Sequence, residues 1–545
     1  MRPARLIRWA SAVTAVAMFV CIGPSGRVAA VDGPVKGELF QTSDRCFACH
    51  NTLSTSQGED ISIGFAWRAS MMANSARDPY WQAGVRRETM DHPESSKAIE
   101  DECSKCHMPM ARYQARFEGR EGEVFAHLSF GSDDRMDLYA QDGVSCSLCH
   151  QISKEKLGTR ESLVGNFVVD TTKLAGEREE YGQFKIDNGE TRIMRTSSAG
   201  YRPTEGEHIR QSELCATCHT LITDALGPDG KKIGSLPEQM PYQEWLVSDY
   251  RDKQSCQNCH MPVVQEPVRV TSALGKFREG MSRHTFLGGN FFVQRMLNKY
   301  RGDLGVLALP NELESAAART VEHLRSRTAQ VAIDRIDVSG DRLQADLSLQ
   351  NLTGHKFPTA YPSRRAWLHV TVRDGADRVV FESGALNLNG AIQGNDNDAD
   401  ATRFEPHYAE ISSADQVQIY EAIMADAKGL PTTGLLSALR FIKDNRLLPN
   451  GFNKNGVDPE ITPQGDAMND ADFAAGGDRV RYVIALGGAQ GPFRVDVELW
   501  FQPIAYRWAA NLKSYNAMEP ARFSGYYDAM ASGSGVIVSR AVASR

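Results

Sequence analysis

Five short stretches of this chain share the pattern C-x-x-C-H: Cys46–His50, Cys103–His107, Cys146–His150, Cys215–His219 and Cys256–His260. Two cysteines three positions apart can each form a thioether with one vinyl group of a haem, and the histidine that follows is placed to bind the iron as proximal ligand. Recurring five times in 545 residues, the pattern is beyond chance and predicts five covalently attached c-type haems with their iron. The attachment residues are Cys46, Cys49, Cys103, Cys106, Cys146, Cys149, Cys215, Cys218, Cys256 and Cys259, and the proximal ligands are His50, His107, His150, His219 and His260. Of the 11 cysteines only Cys21 lies outside these motifs. A disulfide framework or a set of zinc sites would also use paired cysteines, but neither requires a histidine after every second one.

At 545 residues the chain is too long for one hydrophobic core, so several domains are expected. The formal net charge of -7 comes with no basic stretch of the kind that binds nucleic acid, which excludes that class of partner. Residues 1–30 read as a secretory signal: Arg2, Arg5 and Arg8 supply the positive start, Trp9–Ile22 the apolar run and Val28-Ala29-Ala30 the cleavage site. The run is too short to span a bilayer comfortably. Cys21 leaves with it; a lipid anchor there is the lesser reading, because Val20 is a poor residue before a lipidated cysteine. The expected location is periplasmic or secreted after cleavage near Ala30, with no transmembrane segment in the mature chain.

The expected fold is multidomain α+β, in four parts: signal 1–30, a mostly helical and irregular haem domain 31–305, a helical connector 306–329 and a cysteine-free, antiparallel β-sandwich-like domain 330–545 with inserted helices. In the haem domain, Asp78–Met90 reads as a helix with Asp78 as N-cap, Pro79 at the first position and Trp81, Val85 and Met90 on or near one face. Gln243–Tyr250 and Asn290–Tyr300 are helical by pattern, and the polar, glycine-bearing stretch Ser153–Gly206 reads as a long excursion with a short hairpin. Beyond the connector helix Glu312–Ala329, period-2 runs predict strands at Gln330–Val338, Arg342–Gln350, Arg365–Val372, Arg378–Glu382, Arg479–Leu486 and Phe493–Phe501, paired as hairpins. Gln416–Asn445 reads as two inserted helices broken at Gly429, Pro431 and Gly434.

The segments DPYWQAGVRRETMDHPESSKAIEDECSKCHMPM, DGVSCSLCHQI, SELCATCHT and MPYQEWLVSDYRDKQSCQNCHMP resemble multihaem cytochromes of the cytochrome c-554 (cytochrome c-552/4) family. NLTGHKFPTAYPSRRAWLHV and PHYAEISSADQVQIYEAIM look like a C-terminal domain that accompanies such cytochromes. The resemblance implies exported electron-transfer proteins, with both carriers and enzymes among the relatives. The family archetype carries four haems, whereas this chain offers five sites.

What lies opposite each proximal histidine separates a carrier from a catalyst, since a second strong ligand leaves no room for substrate. His208 and His284 are the first candidates as distal ligands, followed by His92 and His127. His355, in a loop joining two predicted strands, would tie the β-domain to a haem by a coordinate bond. His323 reads as solvated, His369 as packed or surface, and His407 as a site residue only by the lesser reading. Met108, Met110 and Met261 read as haem packing. Asp396, Asp398 and Asp400 alternate as Ca²⁺ ligands do, but they lack the glycine and final glutamate of an EF-hand, so an acidic solvated loop is the favoured account. Arg364, Arg365 and Lys356 either face haem propionates or are surface charge.

These features favour an electron carrier, exchanging electrons with redox partner proteins, over an enzyme. The alternative is an oxidoreductase with one open iron acting on a small nitrogen or sulfur compound; against it, no C-x-x-C-K motif is present.

Overall fold

The computed structural model describes residues 37–173, 176–198 and 200–545, so the signal segment, Cys21 and Ala30 lie outside the described residues. The first long helix spans Pro79–Asp91. Asp78 starts it by accepting hydrogen bonds from the backbone N–H groups of Tyr80 (2.9 Å) and Trp81 (3.4 Å), two of the donors that every helix leaves unpaired at its start. Val85 packs inward as the pattern requires, but Met90 is 42% exposed. The buried side of this helix is partly polar. Glu88 receives the backbone N–H groups of Leu435 and Leu436, from the far end of the chain.

The other helical expectations shift by a few residues, to Pro241–Leu246, Phe291–Lys299 and Pro310–Arg327. Within 153–206 the expected hairpin is replaced by two strands, Glu179–Gly182 and Arg202–Glu205, that pair in parallel. The helix Asn188–Ser197 between them carries the chain back to the same end.

Beyond residue 328 the chain forms several sheets. Ala329–Ser339 and Arg342–Asn351 make an antiparallel hairpin. Of its two loop residues only Gly340 has positive φ (59°), which is the glycine-first turn that matches strand twist. This hairpin extends through Gly477–Ala485 to Glu410–Ile411, the last pair being parallel. A second sheet runs Val379–Ser383, Arg365–Arg373, Arg494–Gln502, Val536–Ser544, with Ile419–Tyr420 also pairing to Arg365–Arg373. Alternate residues Leu343, Ala345, Leu347, Val480, Tyr482 and Ile484 of one sheet share a core with Val370, Val372, Val495, Val497 and Leu499 of the other. That core continues into the helices Phe291–Lys299 and Pro310–Arg327, so apolar packing does not stop where the cysteine motifs do.

Three expectations for this half are corrected. Arg479–Leu486 and Phe493–Phe501 do not pair; their strands belong to different sheets. Gln416–Asn445 holds no helix. It supplies the strands Ala422–Ala425, Pro431–Thr432 and Arg440–Asp444, and Ala422–Ala425 is buried at every position, which defeats a helical-periodicity argument. The inserted helices are instead Tyr506–Leu512 and Met518–Asp528. The acidic loop is solvated at Asp400 but not at Asp398. Asp398 makes a buried bidentate pair with Arg365 (2.9 Å to each nitrogen), Asp396 pairs with Arg403 (2.6 Å), and Asp400 accepts from the Thr402 N–H and hydroxyl. Both oxygens of Asp398 are thus taken by protein donors, which removes it from the Ca²⁺ reading at Asp396, Asp398 and Asp400.

His407 meets Asp470 (3.3 Å) and Asp478 (3.8 Å) through Nε2. Its Nδ1 accepts from the Gln418 (3.0 Å) and Asn445 (3.1 Å) amides, whose oxygens are held by the Tyr408 and Glu421 N–H groups. The proton therefore sits on Nε2, facing the carboxylates. A metal ligand shows the reverse arrangement, donating from its other nitrogen; His407 Nε2, Asp470 and Asp478 nevertheless bring their polar atoms within 4.8 Å of one another, and Nε2 and Asp470 Oδ2 are buried with no well-formed hydrogen bond among the described residues.

The two halves meet through buried charge. The Lys356 ammonium is fully buried, 2.6 Å from Asp444; Asp444 also takes both Arg446 nitrogens (2.7 Å each); and Arg446 reaches Glu244 of the N-terminal half (3.2 Å). Glu244 in turn accepts the Lys356 N–H (3.0 Å) and the Thr359 hydroxyl (2.6 Å). Removing one member of a buried ion pair leaves the other uncompensated. Asp444→Asn is therefore expected to cost roughly 3–5 kcal/mol of stability, read as a lower midpoint in chemical denaturation.

A second prediction concerns Asp478, whose carboxyl burial pushes up to about 7. A carboxyl with a raised folded-state value contributes most below its ordinary range, and that contribution is lost as pH rises through about 7. Thermal stability should fall between pH 5 and 8 through this group, by roughly 1–3 kcal/mol, and Asp478→Asn should flatten that slope.

Candidate haem-binding site

Each C-x-x-C-H motif lies on a helical turn, in or at the end of the helices Asp44–His50, Ser96–His107, Cys146–Cys149, Ser212–His219 and Cys256–His260. A separation of three residues brings the two sulfurs of a motif onto one helix face, with the histidine next to them. All ten described cysteines are free thiols, so a disulfide framework has no counterpart here.

Four of the motif histidines are oriented by backbone carbonyls through Nδ1: His50 by Val270 (2.7 Å), His107 by Ser75 (3.2 Å), His150 by Tyr181 (2.6 Å) and His260 by Leu287. That bond settles the tautomer and leaves Nε2 as the free lone pair, the arrangement of an imidazole poised to ligate a metal. His219 has no such acceptor among the described residues. Burial holds all five rings below their ordinary value, His107 and His219 down to about 4. Each is therefore neutral and able to coordinate near pH 7.

The motifs converge on one cavity of about 1780 Å³, lined by residues of all five. Thiols of different motifs lie against one another: Cys46 with Cys146, Cys106 with Cys218, and Cys215 with Cys256. The first motif thus neighbours the third, the second the fourth, and the fourth the fifth. Trp81 lies flat on the His107 ring, with centres 4.4 Å apart.

Two non-motif histidines face motif histidines across the cavity with their ring planes nearly parallel. His284 stands 6.3 Å from His150 between ring centres, with planes 18° apart, and His355 stands 6.3 Å from His260 at 16°. Two imidazoles bound at about 2 Å to one metal ion place their ring centres roughly 6.2 Å apart, so both pairs have the spacing of axial ligands. The Nδ1 atoms of His284 and His355 point at the carbonyls of Ser282 (3.1 Å) and Lys356 (2.9 Å), leaving Nε2 toward the motif ring. With ten free thiols, five neutral imidazoles and this spacing around one void, the residues present fit covalently bound haem.

The other distal candidates are placed differently. His208 is buried, but its Nε2 is 2.9 Å from the Ile152 carbonyl and its ring meets the Tyr181 ring edge to face. His127 is held by Asp137 (2.7 Å), and His92 lies against the Ser437 hydroxyl (3.3 Å). None of the three lines the cavity or faces a motif histidine at axial spacing among the described residues. His323 corrects the reading in the opposite direction. It is not solvated: it lines the cavity, its ring centre is 6.2 Å from His260, and burial takes it down to about 4. His369 sits between Glu382 (3.0 Å) and Glu498 (3.1 Å), which raise it, on the outer face of a sheet. Of the basic trio, Lys356 and Arg365 are consumed by buried ion pairs. Arg364 is different. It lines the cavity, donates to the Thr359 carbonyl (2.9 Å) and Asn290 (3.4 Å), and has no carboxylate partner among the described residues. Burial brings its guanidinium down to about 10.

No helix among the described residues is long and apolar enough to cross a membrane. No protein-family model matches the sequence, and no curated protein matches it. Among solved structures, the chain is similar to the penta-heme cytochrome c552 from Thermochromatium tepidum, with a TM-score of 0.52 over 93% of this chain and 99% of that one, at 15% sequence identity. The two chains share a fold over nearly their whole lengths.

Proposed function

We propose that this chain is an exported pentahaem electron-transfer protein of the cytochrome c-554 kind, with a haem-bearing unit at 31–305, a connector at 306–329 and a β-sandwich-like unit at 330–545. The observation that carries the reading is the convergence of five C-x-x-C-H turns on one cavity, with thiols of the first and third, the second and fourth, and the fourth and fifth motifs beside one another. When bound there, c-type haems supply iron that accepts and releases single electrons. The chain's own part is to hold them close and tune them. The five cysteine pairs anchor, the carbonyl-oriented histidines present Nε2, and the apolar wall excludes water. Arg364 offers an unmatched positive charge to a propionate. His284 and His355 would hold the irons together with His150 and His260, whose rings they face. Redox partner proteins, reached after export past Ala30, complete this reading.

A second reading has its own observation. His50, His107 and His219 face no imidazole at axial spacing among the described residues. An iron left open at one of these would make the protein an oxidoreductase acting on a small nitrogen or sulfur compound.

Low-temperature electron paramagnetic resonance of the oxidised holoprotein separates the two. Low-spin signals alone fit a carrier, whereas a high-spin component from at least one haem in five marks an open iron. The carrier reading also predicts that His284→Ala keeps five haems by pyridine haemochrome assay and turns one of them high-spin. An unchanged spectrum would remove His284 from the ligand set.

A further inference from the structure

His260 has two imidazoles in front of it, not one. His355 lies 6.3 Å from it between ring centres with planes 16° apart, and His323 lies 6.2 Å from it with planes 50° apart. Both separations match two rings that share a metal ion. An iron held by His260 has a single remaining axial position, so the two cannot serve it together.

Their surroundings differ. His355 is locked: Nδ1 is 2.9 Å from the Lys356 carbonyl and 3.3 Å from the Thr353 hydroxyl, and Glu244 fixes the loop by accepting the Lys356 N–H. An oriented ring with a carbonyl at its second nitrogen is the mark of a resident ligand. His323 stands on the helix Pro310–Arg327 with no hydrogen bond to either ring nitrogen among the described residues. It is half-buried and borders the cavity. Its helix is anchored independently of the His355 loop, by Leu313, Ala316, Ala317, Val321 and Leu324 in the core and by the Arg68–Glu312 pair.

Resting on the reading that haem is attached at Cys256 and Cys259, we infer that His323 is a standby axial ligand for the iron held by His260. His355 is the resident ligand, and His323 takes the position when the loop carrying His355 is displaced. The exchange breaks one nitrogen–iron bond and forms another, with no change of oxidation state. With His323 in that position the iron would keep six ligands, so loss of the His355 ring alone would not open it to water or small ligands.

The test uses oxidised holoprotein variants, with haem counted by pyridine haemochrome assay and spin state read by electron paramagnetic resonance. Fewer than five haems in the wild-type chain would refute the attachment reading itself, separately from the standby role. With five present, His355→Ala should add no high-spin signal. Instead one low-spin signal should change its anisotropy, because the ring planes now meet at a larger angle. His323→Ala should leave the spectrum as in the wild type. The double variant should gain a high-spin signal amounting to one haem in five, and added imidazole should return it to low spin. A high-spin gain in either single variant, or none in the double, overturns the proposal. If the alanine pair loses haem, His355→Gln and His355→Gln/His323→Gln carry the same comparison.

Discussion

The contact on which the site depends is a buried set of four charges: Lys356, Asp444, Arg446 and Glu244. Three come from the C-terminal half and one from the helix Pro241–Leu246 of the motif-bearing half. Charges so buried persist only when each is paired and hydrogen-bonded, and here each is. Their geometry is specific as well as attractive, because Glu244 accepts the Lys356 N–H and the Thr359 hydroxyl through Oε2 while Oε1 faces the Arg446 guanidinium at 3.2 Å. The residue before Lys356 is His355, so the same cluster that joins the halves aims the ring facing His260. Strength and orientation come from one arrangement.

A second seam reinforces the first. The helix Pro79–Asp91 presents Arg86 to Glu519, Arg87 to Thr433 and Tyr515, and Glu88 to the backbone of Leu435 and Leu436. Its other side presents Trp81 to His107. One helix thus touches a motif histidine and the sheet-rich half at once. The C-terminal half is therefore part of the cavity's construction and not an appended module.

Much of this was legible in the sequence, and the failures have physical causes. The C-x-x-C-H turns declare themselves because spacing dictates one helix face, and the Asp78-Pro79 start is a local capping signal. Alternation found the strands of the two main sheets but mispaired Arg479–Leu486 with Phe493–Phe501, since a short glycine-rich connection reads alike within a sheet or between sheets. Residues 416–445 misled because a segment buried on every side loses the periodicity that distinguishes strand from helix. His323 was missed for a related reason. Glu322, Arg325 and Arg327 around it suggest a solvated face, and sequence does not reveal that the face borders a void to be filled by something other than protein. Asp398 looked like a loop acid because its partner Arg365 lies 33 residues earlier.

The walls of the cavity come from both ends of the chain. Motif residues from Cys46 onward supply one side, while Thr353–Tyr361, Leu435, Phe501 and Trp508 supply the other. During synthesis all five motifs emerge well before that second wall exists. The pocket therefore stays open-sided until the last strands and helices have docked, giving a bulky planar group access to every thiol pair. Order of emergence thus leaves Leu435, Phe501 and Trp508, which follow the His355 loop in the chain, as the last part of the wall to close.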